Sequence, residues 1–340
     1  MRLLTRLATV LGAIFISGLA TIWFADAVHA QGAHHEAHSP LSLPLPELLA
    51  GVVHGATLGA TAFLAGLVAF AALVWLPASR AENVDQEKVL LLFCRWMWVS
   101  FGLLVIAGSV ELPVYAVRAS GETLSFGLLA EALLDTRVGL LWTARIGLAL
   151  LVATTATYAA RRRNPAYWWV AAVVATLLLI TFTLQSHAVA EGGLLPFAAD
   201  WLHVTAASVW VGGLLGFPIL LMGPLRAVSD ERRTKLLGCT VRRFSKVATV
   251  AVMSLLITGL YAILLHVPSL SALIGTPYGR ALMVKLGLLV PLLAAGAINL
   301  VGRGREPFDR VVRFELILAL GIFVATGFLT TLPPASAVSP

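Results

Sequence analysis

From residue 47 onward the chain is a succession of apolar runs broken by short polar stretches, and each run is long enough to carry a helix across a hydrocarbon core of about 30 Å. The pattern predicts eight spanning helices near 47–78, 89–117, 137–159, 166–187, 195–222, 244–266, 279–301 and 312–332. Ahead of them, Arg2 and Arg6 precede an apolar run from Leu7 to Phe24 and the small-residue site Val28-His29-Ala30. That layout predicts a secretory signal peptide over 1–30, with an uncleaved anchor helix as the alternative because the run is long. Residues 31–46 read as a leader outside the cytoplasm, carrying His34, His35 and His38 ahead of Pro40, Pro44 and Pro46. The expected fold is an all-α membrane protein, an eight-helix transmembrane bundle.

Composition strengthens the membrane reading. Of 340 residues 59% are hydrophobic and 12% charged, and the mean hydropathy is +0.90, beyond what a soluble domain covers with polar surface. The net charge of +7 is gathered in alternate loops: Arg80 and Lys88; Arg161, Arg162 and Arg163; Arg226 through Lys246; Arg303, Arg305, Arg310 and Arg313. Such alternation is a topology signal and excludes a nucleic-acid face. It places those loops inside, the first span entering from outside and the C-terminus returning to the periplasm. Cys94 and Cys239 are far apart and predict neither a disulfide framework nor a thiol metal site.

Two stretches of the chain echo each other. Thr136-x-x-Gly139 is followed six residues on by Arg145, and Thr276-x-x-Gly279 six residues on by Lys285. Phe93-x-Arg95 precedes Gly108 at the spacing by which Phe244-x-Lys246 precedes Gly259. His54 and His203 each lie about eight residues after entry, about 12 Å from the outer face. Matches in the same order predict two parallel four-helix repeats, 47–187 and 188–340, related by an axis along the membrane normal.

Intramembrane histidines are costly without partners and mark functional sites by default. His54, His203, His187 and His266 all fall toward the outer side, with Glu111 about two turns from the outer end of its helix and Glu191 and Asp200 flanking a turn. Imidazole and carboxylate together suit Cu(II) or zinc, whereas Cu(I) prefers thioether or thiolate; the expected copper ligands are His54 and His203 at the centre and His187, His266 and Glu111 at the entrance. The bland reading is a set of histidines bonded to Ser, Thr or backbone carbonyls, with His187 and His266 merely interfacial. Arg145 and Lys285 complicate a metal site, since fixed cations repel an arriving ion. Glu111 could pair with Arg145, or both cations could snorkel outward. A rival reading makes His54 and His203 axial ligands of a b-type haem, with Arg145 and Lys285 on its carboxylates. A third reading is an assembly factor for another metalloenzyme. Trp201 and Trp210, and Tyr167, Trp168 and Trp169, read as aromatic belts, and Gly212, Gly213 and Gly216 as close helix packing.

The run Arg243-Phe244-Ser245, Thr258-Gly259-Leu260-Tyr261, Thr276-Pro277-Tyr278-Gly279-Arg280, Lys285 and Asn299 resembles the copper resistance protein D (CopD) family of bacterial inner-membrane proteins. Ser186-His187-Ala188, Leu202-His203 through Trp210-x-Gly212-Gly213, Arg313, Glu315 and Pro333-Pro334 are similar to the same family, over roughly residues 47 to 334. The resemblance implies copper moving across the inner membrane, as uptake from the periplasm, together with a separate periplasmic copper-binding protein of the CopC type. Neither a nucleotide-binding loop nor an Asp-Lys-Thr-Gly or Cys-Pro-Cys motif is present, so the expectation is a permease without ATP-driven machinery and no enzyme.

Overall fold

The computed structural model describes residues 45–83, 85–187, 192–222, 229–301 and 308–338. The expected signal or anchor segment, the leader histidines His34, His35 and His38, Glu191, and the basic residues Arg226, Arg303 and Arg305 lie outside them. The chain divides into two compact units, Met1–Leu49 and Ala50–Pro340. Of the first, the described part is the opening turn of one helix; all packing described below belongs to the second.

Helix α1 runs Leu45–Ala69, passes through a π turn at Phe70–Trp75 and ends as Leu76–Ala81. It is followed by α2 (Glu87–Ser120), α3 (Phe126–Leu134), α4 (Arg137–Arg162), α5 (Pro165–Thr183), α6 (Leu194–Met222), α7 (Asp230–His266), α8 (Leu270–Gly275), α9 (Pro277–Val301), α10 (Phe308–Thr331) and α11 (Ala335–Val338). Eight of these are long and apolar enough to cross a membrane, and no strand occurs among the described residues. The protein is an all-α membrane bundle.

Seven of the eight predicted spans agree with the observed helices to within about four residues at each end. The exception, α7, begins fourteen residues before its apolar run, because the charged stretch from Asp230 continues the helix beyond the hydrocarbon, supported by a Glu231–Lys235 pair at 2.7 Å. Helix α5 stops at Thr183 rather than 187. Gln185 N–H and Ser186 N–H turn back onto Phe182 and Thr183 carbonyls, tightening the last turn and placing His187 beyond the helix.

Two of the matched sequence motifs fold alike. Ser125 caps α3 by accepting from Leu128 N–H, and Ser269 caps α8 by accepting from Ala272 N–H, both at 3.1 Å. Thr136 and Thr276 then accept from Gly139 and Gly279 N–H at 3.0 Å and donate to Ala132 and Ala272 carbonyls. A Cβ at either glycine would run into the carbonyls of the preceding short helix, so only glycine permits the turn.

Helix α1 is the most deeply packed span: 83% of its most apolar window is buried, against 11% for α7. It crosses α6 where Gly66 meets Gly212, whose Cα would stand 2.7 Å from a Cβ at Gly66, and it meets α10 where Gly55 faces Val324. Gly213 and Gly216 receive the rings of Phe244 and Phe70, so these glycines do serve close packing. The aromatic-belt expectation fails for Trp168, which is 1% exposed and part of the main core, while its neighbour Trp169 is exposed.

Candidate functional site

A cavity of about 680 Å³ opens among the spans, and His54, His187, His203 and His266 all line it, with Glu111, Asp200, Thr258, Tyr278 and Lys285. The four histidines come from α1, the α5–α6 connection, α6 and α7. Much of the remaining lining is aliphatic, including Leu58, Leu255, Leu289 and Leu292. No group of three or more His, Cys, Asp or Glu side chains stands close enough to hold one metal ion among the described residues.

His54, His203 and His187 are each held by a specific hydrogen-bond partner. His54 Nδ1 lies 2.6 Å from Glu111 Oε1. A carboxylate accepts, so Nδ1 carries the proton of this contact and Nε2 is the nitrogen turned away from Glu111. His203 Nδ1 lies 2.8 Å from Thr258 Oγ1, whose own hydrogen is committed to the Ser254 carbonyl at 2.6 Å. Thr258 therefore accepts from His203 Nδ1–H, which leaves Nε2 as the nitrogen turned away from Thr258. His187 Nε2–H donates to the Leu332 carbonyl at 3.0 Å, leaving Nδ1. The rings of His187 and His266 stand 6.3 Å apart, with Tyr278 6.2 Å from His266.

Behind His54, the expected Glu111–Arg145 pair is present but secondary. Glu111 Oε2 is 4.0 Å from Arg145 Nη1, a longer contact than the one to His54. Arg145 does not snorkel. It is 1% exposed, donates Nε–H to Thr181 Oγ1 at 3.2 Å and Nη2–H to Gln185 Oε1 at 2.9 Å, and stacks 3.7 Å above the Phe182 ring. Lys285, at the matching motif position, lines the cavity and has Asp200 and His203 as electrostatic neighbours, while Asp200 accepts from Ser186 Oγ at 3.1 Å. Helix α4 thus walls its cation into protein, and α9 presents its cation to the cavity.

The partners Thr258, Thr181, Phe182 and Gln185 escaped the sequence reading. A hydroxyl one residue before the paired glycine at 259 was the available signal for Thr258. Nothing in the sequence marked Gln185, which depends on the tightened end of α5.

Chemically, the site offers the imidazole rings of His54, His203 and His187, each oriented by a far-side partner, the arrangement by which proteins orient histidine toward a metal. The haem reading finds no support here, since the Arg145 guanidinium is taken up by Glu111, Thr181, Gln185 and Phe182.

Residues 45–197 match the family model described as copper resistance protein D-like, N-terminal domain, and residues 239–329 match copper resistance protein D. The chain is similar to copper transport protein CutJ of Bacillus subtilis (strain 168), 29% identical over 272 residues, covering 77% of this chain and 48% of that protein. It is also similar to copper resistance protein D of Pseudomonas syringae pv. tomato, 28% identical over 254 residues, covering 68% of this chain and 81% of that protein. The chain therefore spans about half the length of the Bacillus protein. No solved structure gives a significant match.

Proposed function

Since the chain belongs to the copper resistance protein D family, we propose that it is a permease that takes copper from the periplasm across a bacterial inner membrane, its C-terminus periplasmic and its matched motifs the trace of a duplicated four-helix unit over 47–187 and 188–340. The observation that carries this reading is the convergence of His54, His203, His187 and His266 on one cavity.

In this proposal His187 and His266 receive the ion at the outer end and His54 and His203 hold it deeper. Ring centroids 6.3 Å apart leave room for one ion between His187 and His266 only when two nitrogen–metal bonds of about 2 Å each run nearly in line. In-line two-coordination is the habit of d¹⁰ Cu(I), so the entrance favours the cuprous ion despite the lack of thioether ligands. Glu111 acts on copper through His54: it fixes the ring, and its charge, shared with Arg145, keeps the local sum near zero before the ion arrives. Delivery from a separate CopC-like protein fits an entrance on the periplasmic side. ATP hydrolysis is not part of this scheme, and the ion follows its gradient or that of a coupled ion.

The test is copper uptake into proteoliposomes, with bound copper counted in the purified protein. The His54→Ala, His203→Ala double variant should lose both; unchanged binding would refute the ligand assignment. A Soret band in the visible spectrum of the purified protein would overturn the copper reading in favour of haem.

A further inference from the structure

The cavity does not reach the opposite face. Its deepest lining residues are Ala62 on α1 and Val211 on α6. Beyond them lies the Gly66–Gly212 crossing, where two backbones touch and no side-chain-sized space remains. Six to eight residues past the cavity floor, about 9–12 Å deeper, four phenylalanines meet, one each from α1, α2, α6 and α7. Phe70 contacts Phe93 at 5.7 Å, Phe217 at 5.4 Å and Phe244 at 6.2 Å, and Phe217 contacts Phe244 at 5.4 Å, all edge to face. Phe70, Phe93 and Phe217 are at most 3% exposed. Phe93 and Phe244 open the two matched motifs, so each half of the chain contributes two rings.

Phe70 is also the first residue of the π turn. There the backbone is wound with one residue too many: Leu76 N–H reaches back five residues to Ala71 O. At the other end of the turn, Trp75 is fully buried against Phe93, and its indole N–H has no hydrogen-bond partner among the described residues. A π turn can travel along a helix by exchanging one hydrogen bond at a time. Each one-residue shift of register swings the side chains it passes by about 100°. Such a shift at Phe70 would withdraw its ring from the other three and from the backbone of Gly216, which it now covers.

We infer that Phe70, Phe93, Phe217 and Phe244 form the barrier closing the pathway below the histidine cavity, and that the π turn of α1 is the part that moves to open it. The inference rests on the reading of the protein as a permease. A dry apolar constriction of this kind stops ions because they cannot shed their water in it.

The test uses the full chain in proteoliposomes with two probes, silver(I) in place of Cu(I) and potassium as an ion the histidines do not select. Wild-type vesicles should hold potassium. The Phe70→Ala, Phe217→Ala variant should leak it about tenfold faster, and the milder Phe70→Leu, Phe217→Leu variant should leak at an intermediate rate. The Leu variant keeps the apolar bulk should the Ala variant fail to fold. Deletion of Ala72 removes the surplus residue of the turn; it should keep vesicles tight to potassium while silver uptake is lost. Folded ring variants as tight as wild type would overturn the barrier, and wild-type silver uptake by the Ala72 deletion would overturn the moving turn. Potassium leaking through the ring variants, with no silver passing the wild type, would leave the barrier standing and overturn the copper reading instead.

Discussion

His54 and His203 each lie nine residues after the start of their helices and line the same cavity, yet their surroundings differ in kind. His54 rests on a carboxylate that is itself backed by a walled-in guanidinium, a chain of charges from α1 through α2 to α4. His203 rests on a neutral hydroxyl, and the nearby cation, Lys285, lines the cavity. Both arrangements engage Nδ1 of the ring. They differ in what happens when one member is removed, because an orphaned buried charge costs far more than an orphaned hydroxyl. The first half is built around a walled-in guanidinium, and the second leaves its cation lining the cavity.

The largest effect should come from the cations. Arg145→Met leaves Glu111 without its countercharge in a buried site, which costs about 3–5 kcal/mol. It should lower the thermal midpoint of the detergent-solubilised protein sharply. Lys285→Met, at the matching position, removes a charge that lines the cavity beside Asp200 and should lower the midpoint less than Arg145→Met while changing silver uptake. Equal losses of stability would break the contrast between the halves.

The histidine partners come next. Far-side partners of metal-binding histidines are worth about 10–100-fold in affinity. Glu111→Gln should sit at the upper end for silver or copper binding, because it removes charge as well as orientation. Thr258→Val should sit at the lower end, since His203 loses only an acceptor. Glu111→Asp should restore part of the loss if Glu111 works through the ring of His54. If instead it touches the ion directly, the X-ray absorption spectrum of the loaded protein would gain an oxygen ligand that disappears in Glu111→Gln.

How much of this was readable from the chain follows from what period and charge encode. Spans, their order and the matched Thr-x-x-Gly turns depend on local apolar period and capping, and the helices bear them out. The convergence of four histidines on one cavity was anticipated from depth alone. The identity of each partner was not, because Glu111 was matched to Arg145 by charge while the nearer contact is an imidazole 57 positions away. The π turn was invisible for a similar reason: Phe70-Ala-Ala-Leu-Val-Trp75 reads as ordinary apolar helix, with no Pro or polar residue to mark the surplus residue.

The smallest expected effect concerns a second Arg–Glu pair between the same two elements of the first half. Arg163, just past α4 with φ of 52°, bonds Glu87 at the start of α2, and that carboxylate holds the guanidinium above its ordinary pKa. Arg145 and Glu111 are joined by the same helices about 27 Å along α4, in the buried layer. Arg163 is exposed, so water and salt screen its pair, and exposed pairs contribute little. Glu87→Gln should leave the thermal midpoint unchanged within error at 0.15 M salt. Arg163→Gly should raise it slightly, because glycine adopts the left-handed cap without a Cβ penalty and more than offsets a screened pair. A fall comparable to that of Arg145→Met would mean that the pair at the helix ends is shielded from water, and that the shielded charges of the first half extend beyond the walled-in guanidinium.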